Sequence, residues 1–340
     1  MPATIADVAR KVGKSYQLVS AVLNGGKSSS AASEQTRERI LSVAHQLNYR
    51  PNTAAKAVVT GKFNAIGLML SVASWRSTLP TDMLTGIHQS LARHDFHLIV
   101  NGFPDETLVD DSKLPSIFSR MMVDGLLVKY DCYQPSEMVE KLSGLRLPLV
   151  WINSKHARDC VNPDDVRAGR EATEHLLRLG HRKILFVSCV VRGPEDHHSI
   201  DDRMAGYRQA MQSSGCRVVQ CVENIPAEDR CEWLARLLGK HRPSAVVACN
   251  SSDALPLYVA AERMGLRVPR QLSIITFGAD VSVFSGLPLT GYAWPEGQVG
   301  ERAVEMLIQK IHKPRVKCEP VFVPFTLIEG ATCASPFESH

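Results

Sequence analysis

From residue 15 to residue 24 the chain reads Ser-Tyr-Gln-Leu-Val-Ser-Ala-Val-Leu-Asn, a stretch whose polar groups suit nucleic acid. Leu18, Val19, Val22 and Leu23 recur with a helical step and predict an apolar stripe. Tyr16, Gln17, Ser20, Ala21 and Asn24 fall on the opposite side, where hydroxyl, amide and small groups can meet base edges and phosphates. Ser15 stands where its hydroxyl can accept from an orphan N–H of the first turn. A helix this short is unstable alone, so neighbours must hold its apolar face. Other chemistries lack their motifs. No G-x-G-x-x-G or Walker loop follows a strand-like run and no G-x-S-x-G elbow occurs, so neither a cofactor nor a catalytic residue is expected. His175 and His181 sit on a predicted helix and its C-terminal turn with no matching acid or third ligand, which argues against a metal. His197-His198 read as a solvated polar loop. The nine cysteines are dispersed and none forms C-x-x-C, as for reduced thiols in a cytoplasm rather than a disulfide framework.

The elements around the 15–24 helix follow from local signals. Thr4 and Asp7 form a capping-box-like start, and Ile5, Val8, Ala9 and Val12 give a first helix one buried face. Gly13 ends it, making a tight turn into the second helix and hence a helix-turn-helix. Ser33 caps a third helix with Ile40, Val43, Ala44 and Leu47 as its inner face, stopped at Tyr49-Arg50-Pro51. Charge agrees with this division. Net charge is only +4, but residues 1–62 hold nine basic against three acidic groups, a local +6 that leaves −2 for the rest. A small basic head on a near-neutral body fits a polyanion-binding module joined to something else.

From Ala65 apolar runs alternate with amphipathic stretches. Strand-like runs at 66–70, 97–100, 125–128 and 149–152 are separated by helical patterns near 82–93, 114–122 and 136–143. After Asn153 the series restarts. Helices near 168–179, 203–213, 231–238, 254–264 and 300–311 alternate with strands near 184–187, 217–222, 245–248, 272–275 and 321–323. This spacing predicts α/β architecture with parallel sheets, arranged as two doubly wound subdomains with a cleft between them. Ligands in open α/β sheets bind beyond the strand carboxyl ends, which makes the cleft the natural site. No run of about 18 apolar residues occurs, and no signal peptide precedes the head, so a cytoplasmic protein without a membrane partner is expected.

The run Thr4-Ile5-Ala6-Asp7-Val8-Ala9, then Ser15-Tyr16-Gln17-x-Val19-Ser20-x-Val22-x-Asn24, Thr36-Arg37-Glu38 and Leu47-Asn48-Tyr49-x-Pro51-Asn52 resembles the lactose/galactose-repressor family of bacterial transcription regulators. The body shares the resemblance in Asp164-x-x-x-x-Gly169, His175-Leu176-x-x-Leu179-Gly180-His181-Arg182-Lys183-Ile184, Arg203-x-x-Gly206-Tyr207 and Pro243-x-Ala245-x-x-x-x-Asn250. It implies a helix-turn-helix head at 1–51, a hinge helix or linker at 52–62, and an effector-binding and dimerisation domain at 63–340 with the fold of periplasmic sugar-binding proteins. Tyr16 and Gln17 match positions that reach base edges, and glutamine can pair bidentately with adenine. Ala21 stands where relatives often carry a larger base-reader, so a different base preference is expected there. Ser15, Ser20, Asn24, Thr36 and Asn52 match phosphate-positioning sites, and Thr4 is placed with them. In the hinge, Ala54 and Ala55 let the backbone approach the minor groove, and Val58 replaces the leucine wedge of relatives, so it should unstack the central step less.

For the effector, the resemblance points to Arg203, Asn153 and Asn250, with Gly278 where relatives carry an aspartate and Trp294 where they often carry glutamine. Ser251 likewise follows Asn250 where relatives often carry an aspartate; the loss of paired carboxylates weighs against a sugar, and Trp294, Trp75 and Tyr130 are candidate stacking faces. The resulting expectation is a sequence-specific regulator, of repressor type, that binds a pseudo-palindromic double-stranded DNA operator as a homodimer. A small-molecule effector, a sugar or related metabolite, controls it. The competing classes are a transporter-linked solute-binding protein, which needs a signal peptide and no basic head, and an α/β enzyme, which needs a motif this chain lacks.

Overall fold

The computed structural model describes residues 3–24, 32–50, 61–73, 76–108, 110, 122–132, 134–189, 197–278 and 286–336. They fall in two compact units, Met1–Asn64 and Ala65–His340. Among them no helix is long and apolar enough to cross a membrane.

The head unit has three helices: α1 (Ile5–Val12), α2 (Tyr16–Asn24) and α3 (Glu34–Gln46). Val8, Ala9, Val12, Val19, Ile40 and Ala44 are buried together, with Ile5, Val22, Leu23, Val43 and Leu47 packed against them. The helical periods read from sequence therefore point inward as expected, except at Leu18, which is half-buried and outside this cluster. Gly13 closes α1 in the left-handed region at φ 70°, where its N–H donates to Ala9 O at 2.9 Å.

The second unit contains β1 (Ala65–Ser71), α4 (Thr81–Arg93), β2 (His97–Phe103), α5 (Asp105–Leu108), β3 (Gly125–Lys129), α6 (Ser136–Ser143) and β4 (Leu149–Ile152). β5 (Cys160–Pro163), α7 (Asp165–Arg178), β6 (Ile184–Ser188), α8 (Ser199–Ser213) and β7 (Val219–Val222) follow. Then come α9 (Arg230–His241), β8 (Ala245–Ala248), α10 (Ser251–Arg263), β9 (Ser273–Phe277), β10 (Thr290–Ala293), α11 (Glu296–His312), β11 (Val321–Val323) and β12 (Thr326–Ile328). The strands form two sheets, ordered β11-β5-β4-β3-β1-β2 and β12-β10-β9-β8-β6-β7. Every pair is parallel except β10–β12.

The two sheets are not two consecutive halves of the chain, as the restart after Asn153 suggested. β5 still belongs to the first sheet, and β11 returns to it after the whole second sheet but one strand has been laid down. Helix α11 returns with it: Val299, Ala303, Val304, Leu307 and Ile308 join Ile66, Leu68, Ile87, Leu127 and Val150 in one core. The chain thus crosses between subdomains three times, after Pro163, after Ala293 and after Val323. The helix expected near 114–122 lies almost wholly outside the described residues.

Two close helix crossings fix the parts of each subdomain that face the cleft. A Cβ on Gly169 of α7 would stand 2.1 Å from Arg203 O, and one on Gly206 of α8 would stand 2.0 Å from Val166 O. A Cβ on Gly86 of α4 would meet Gly297 O of α11 at 2.0 Å. Only glycine permits backbones to approach this closely.

Candidate nucleic-acid interface and effector cleft

In the head, α2 presents Tyr16 and Gln17 to solvent while Val19 is fully buried on its other side. Tyr16 is 54% exposed, unusual for a large aromatic that could have joined the adjacent core. Ser20 and Ala21 are half-buried beside them. Ser15 Oγ accepts from Leu18 N–H at 3.3 Å, so its hydroxyl caps α2. Thr36 is likewise engaged within the fold, its hydroxyl 2.9 Å from Ser33 Oγ at the start of α3. Thr4 completes a reciprocal cap on α1. Its Oγ1 accepts from Asp7 N–H at 3.3 Å while the Asp7 carboxylate accepts from Thr4 N–H at 3.0 Å and Oγ1 at 2.7 Å. Those bonds hold the Asp7 carboxyl below its ordinary value, the side-chain bond from Thr4 first. Asn24 closes α2, but its side chain lies outside the described residues, as do Asn52, Ala54, Ala55, Val58 and Trp75.

In the body, Asn153, Arg203, Asn250 and Trp294 come together around one cavity of about 320 Å³. Three of them lie at the carboxyl ends of strands, Asn153 just past β4, Asn250 past β8 and Trp294 past β10, while Arg203 comes from α8. Gly278, just past β9 with φ 76°, lies beneath Trp294: a Cβ there would stand 3.0 Å from the indole. The indole occupies the space a side chain at 278 would need, which gives these two departures from the family pattern one physical reading.

Tyr130 does not join them. It is fully buried, whereas Lys129 and Asp131 on either side of it line the cavity. Side chains alternate along extended backbone, so the expectation of Tyr130 in the pocket missed by one residue. Sequence reasoning also passed over Asp165, which opens α7, and His197, which lines the cavity rather than standing in a solvated loop. The signal for Lys129 and Asp131 was a charged pair closing a wholly apolar strand run. His181 is instead a buried core histidine, bonded to Ser244 Oγ at 2.9 Å, Ser273 Oγ at 3.1 Å and Ala334 O at 2.9 Å.

Arg203 is buried and largely committed to the protein. Its Nε donates to Asp165 Oδ1 at 2.7 Å, and Nη1 donates to Cys249 O at 2.8 Å and Asn250 Oδ1 at 2.9 Å. The guanidinium carbon lies 4.9 Å from the Phe277 ring centroid. Across the cavity, Lys129 pairs with Asp131, whose other oxygen accepts from Thr78 N–H and Oγ1 at 3.0 Å each. Burial works against the Asp131 carboxylate, but the Lys129 charge and these bonds prevail and hold its pKa below the ordinary value. Asn153, in the left-handed region at φ 55°, donates from Nδ2 to Asp131 Oδ1 at 2.9 Å. Burial, then the neighbouring His198, pushes the His197 imidazole down to about 3, so it is neutral at physiological pH.

Two acceptor atoms in the cavity wall are buried without a partner among the described residues: Asn153 Oδ1 and Asp165 Oδ2. Buried acceptors are almost always satisfied, so these are positions where a bound molecule can donate. For Asp165, burial outweighs Arg203 and raises the carboxyl above its ordinary value. Asp165, His198 and Asp202 also gather possible metal ligands within 4.8 Å of one another. Protein groups already hold that cluster: Lys155 Nζ and His198 Nδ1 take the two Asp202 oxygens at 2.6 and 3.0 Å, and Arg203 takes Asp165.

Residues 4–52 match the profile described as bacterial regulatory proteins, lacI family, and residues 173–333 match that of a periplasmic binding protein-like domain. The chain joins a lacI-type DNA-binding domain to a periplasmic binding protein-like domain. It is a DNA-binding transcriptional regulator whose body takes a small-molecule effector. The ribose operon repressor of Haemophilus influenzae is 26% identical over 324 residues, spanning 92% of this chain and 93% of that one. The transcriptional repressor PurR of Klebsiella pneumoniae is 28% identical over 351 aligned positions, 99% of each chain. A solved structure of the lac repressor dimer bound to operator and the anti-inducer ONPF shares the fold, with a TM-score of 0.78 at 21% identity over 98% of this chain and 100% of that one. These relatives carry the names of regulators rather than of enzymes.

Proposed function

We propose that two copies of this regulator bind a pseudo-palindromic operator in the cytoplasm, each placing α2 in a major groove, and that occupancy of the cleft controls that binding. The observation that carries the first part is the division of α2, with Val19 sunk in the head core and Tyr16 and Gln17 outward at its first turn. A recognition helix reads bases with residues near its N-terminus, and a two-fold dimer sets the half-site spacing. Gln17 is the adenine reader, Tyr16 adds apolar and hydroxyl contacts, and Ser20 and Ala21 face the next bases and phosphates. The names of the relatives support a repressor. Residues 1–51 form the reader, residues 52–62 the linker that carries Asn52, Ala55 and Val58 to the DNA, and residues 63–340 the effector and dimer body.

In the cleft, Asn153, Asp165, Arg203, Asn250 and Trp294 form the effector site, and a hydroxyl- or amine-bearing metabolite meets the two unpartnered acceptors. The effector shifts the balance between two body conformations only in proportion to its preference for one of them. The deciding experiment is selection of bound sites from randomised duplex DNA by the full chain and by Gln17→Ala. The substitution should cost about 1–3 kcal/mol and relax one symmetric pair of positions. Unchanged selectivity would remove Gln17 from the reading face.

A further inference from the structure

Lys183, Arg217 and Lys240 make no ion pair and no side-chain hydrogen bond among the described residues. With Arg182 and His241 they surround a cavity of about 250 Å³ at the amino ends of β6, β7 and β8. That is the edge of the second sheet opposite the cleft. Several exposed cations elsewhere on this body meet carboxylates, as in Arg158–Glu319, Arg167–Glu171 and Arg302–Glu305. Among the described residues no aspartate or glutamate lines this cavity, although residues 63–340 carry a net charge of −2.

Helix ends explain only part of the concentration. Lys240 and His241 lie in the last turn of α9, and Arg182 Nη1 donates to Leu177 O of α7 at 3.0 Å. Each helix C-terminus is worth roughly half a negative charge, weakened by water, so these ends do not balance four full cations. Between the cations, Ile184, Leu185, Val219 and Pro243 supply apolar lining. A recess of this size, with apolar lining and a cationic rim, suits a compact anion of several charges rather than a duplex.

We propose that this groove is a second ligand site, separate from the effector cleft, for a small polyphosphate-bearing molecule whose phosphates sit on Lys183, Arg217 and Lys240. Lysine and arginine at several points around one anion give charge-assisted bonds that a single surface lysine does not. A ligand here stabilises the second subdomain whatever occupies the cleft.

The test is calorimetric titration of the full chain with sodium pyrophosphate, against sodium sulfate at equal ionic strength. Saturable binding to one site per chain is expected. Lys183→Glu combined with Arg217→Glu should weaken it at least roughly tenfold, and Lys240→Glu should weaken it as well. All three residues are exposed, so unchanged thermal melts without ligand are the accompanying control. Heats equal to those of sulfate would overturn the proposal, and so would pyrophosphate binding that survives in the double variant. In lysine-modification footprinting, protection of Lys183 and Lys240 by duplex DNA and not by pyrophosphate would assign the groove to nucleic acid and overturn it too.

Discussion

Replacing Arg203 with alanine tests the centre of the cleft. The guanidinium is the partner of the buried Asp165 carboxylate, ties Cys249 O and Asn250 to α8, and lies over Phe277. Removing one member of a buried pair costs about 3–5 kcal/mol, because the other charge is left without compensation. The lost contact over Phe277 adds to this, and relaxation of Asp165 toward its neutral form offsets some of it, so a net loss of about 4 kcal/mol is expected. With a slope of about 3 kcal/mol per molar urea, the midpoint falls by somewhat more than 1 M. Trp75, Trp151, Trp233 and Trp294 all fall within the second unit, so tryptophan fluorescence follows the body without interference from the head. The deficit should also depend on pH. Asp165 is an acid whose folded value is raised above the ordinary 3.8, so its contribution is full below that value and is lost as pH rises through the folded value. Without Arg203 the rise is larger, so the variant falls furthest behind at neutral pH and recovers ground toward pH 4. A loss below about 1 kcal/mol, or a deficit that does not change with pH, would refute the account of Arg203 as Asp165's counter-charge. Because this residue also holds the fold, loss of effector response in the variant has to be compared at matched fraction folded.

Three further outcomes follow from the same geometry. Gly206→Ala forces a Cβ to within 2.0 Å of Val166 O, so α7 and α8 must separate; a loss of about 3 kcal/mol in urea and a weakened Arg203–Asp165 pair are expected, and a neutral result would mean the crossing yields freely. His197, depressed to about 3 by burial and by His198, keeps its stabilising contribution above its ordinary 6.5 and loses it as pH falls from there toward 3. His197→Gln should flatten the acid side of the body's stability profile, and an unchanged slope would place that titration elsewhere. Thr4→Ala removes a reciprocal cap and should cost the head about 1 kcal/mol in a circular-dichroism melt without DNA; a melt identical to the parent would mean Thr4 acts only in the complex.

The head was legible in the sequence because its signals are local: Thr4 and Asp7 cap α1, Gly13 turns the chain, and Val19 and Ile40 keep helical step with their neighbours. The strands of the body were legible as apolar runs for the same reason. What escaped was set by long-range pairing. Cys160–Pro163 is four residues long and includes Asn162 and Pro163, so nothing local marks it as a strand; β4 and β11 on either side make it one. The return of β11 to the first sheet depends on where α11 packs, which no window of sequence contains. In the cleft, Arg203, Asn153 and Asn250 were found through the family pattern, while Asp165 was hidden as one of several acids near helix starts. Tyr130 was misplaced because the last turn of a strand leaves its parity open, and Lys129 with Asp131 took the facing side.

The three crossings between subdomains also govern how this protein can be made. The first subdomain keeps a gap in its core until Val299, Val304 and Leu307 arrive, and its edge strand β11 is not complete before Val323. The second subdomain waits for Phe325 and for β12, which ends at Ile328. Neither can close before the chain has been made as far as these residues. The head, finished by Asn64 from short-range contacts, emerges first and can fold alone. Every nascent chain therefore passes through a stage with a formed reader and an unformed body. The body becomes able to govern it only once the last crossing has been made and β12 is in place.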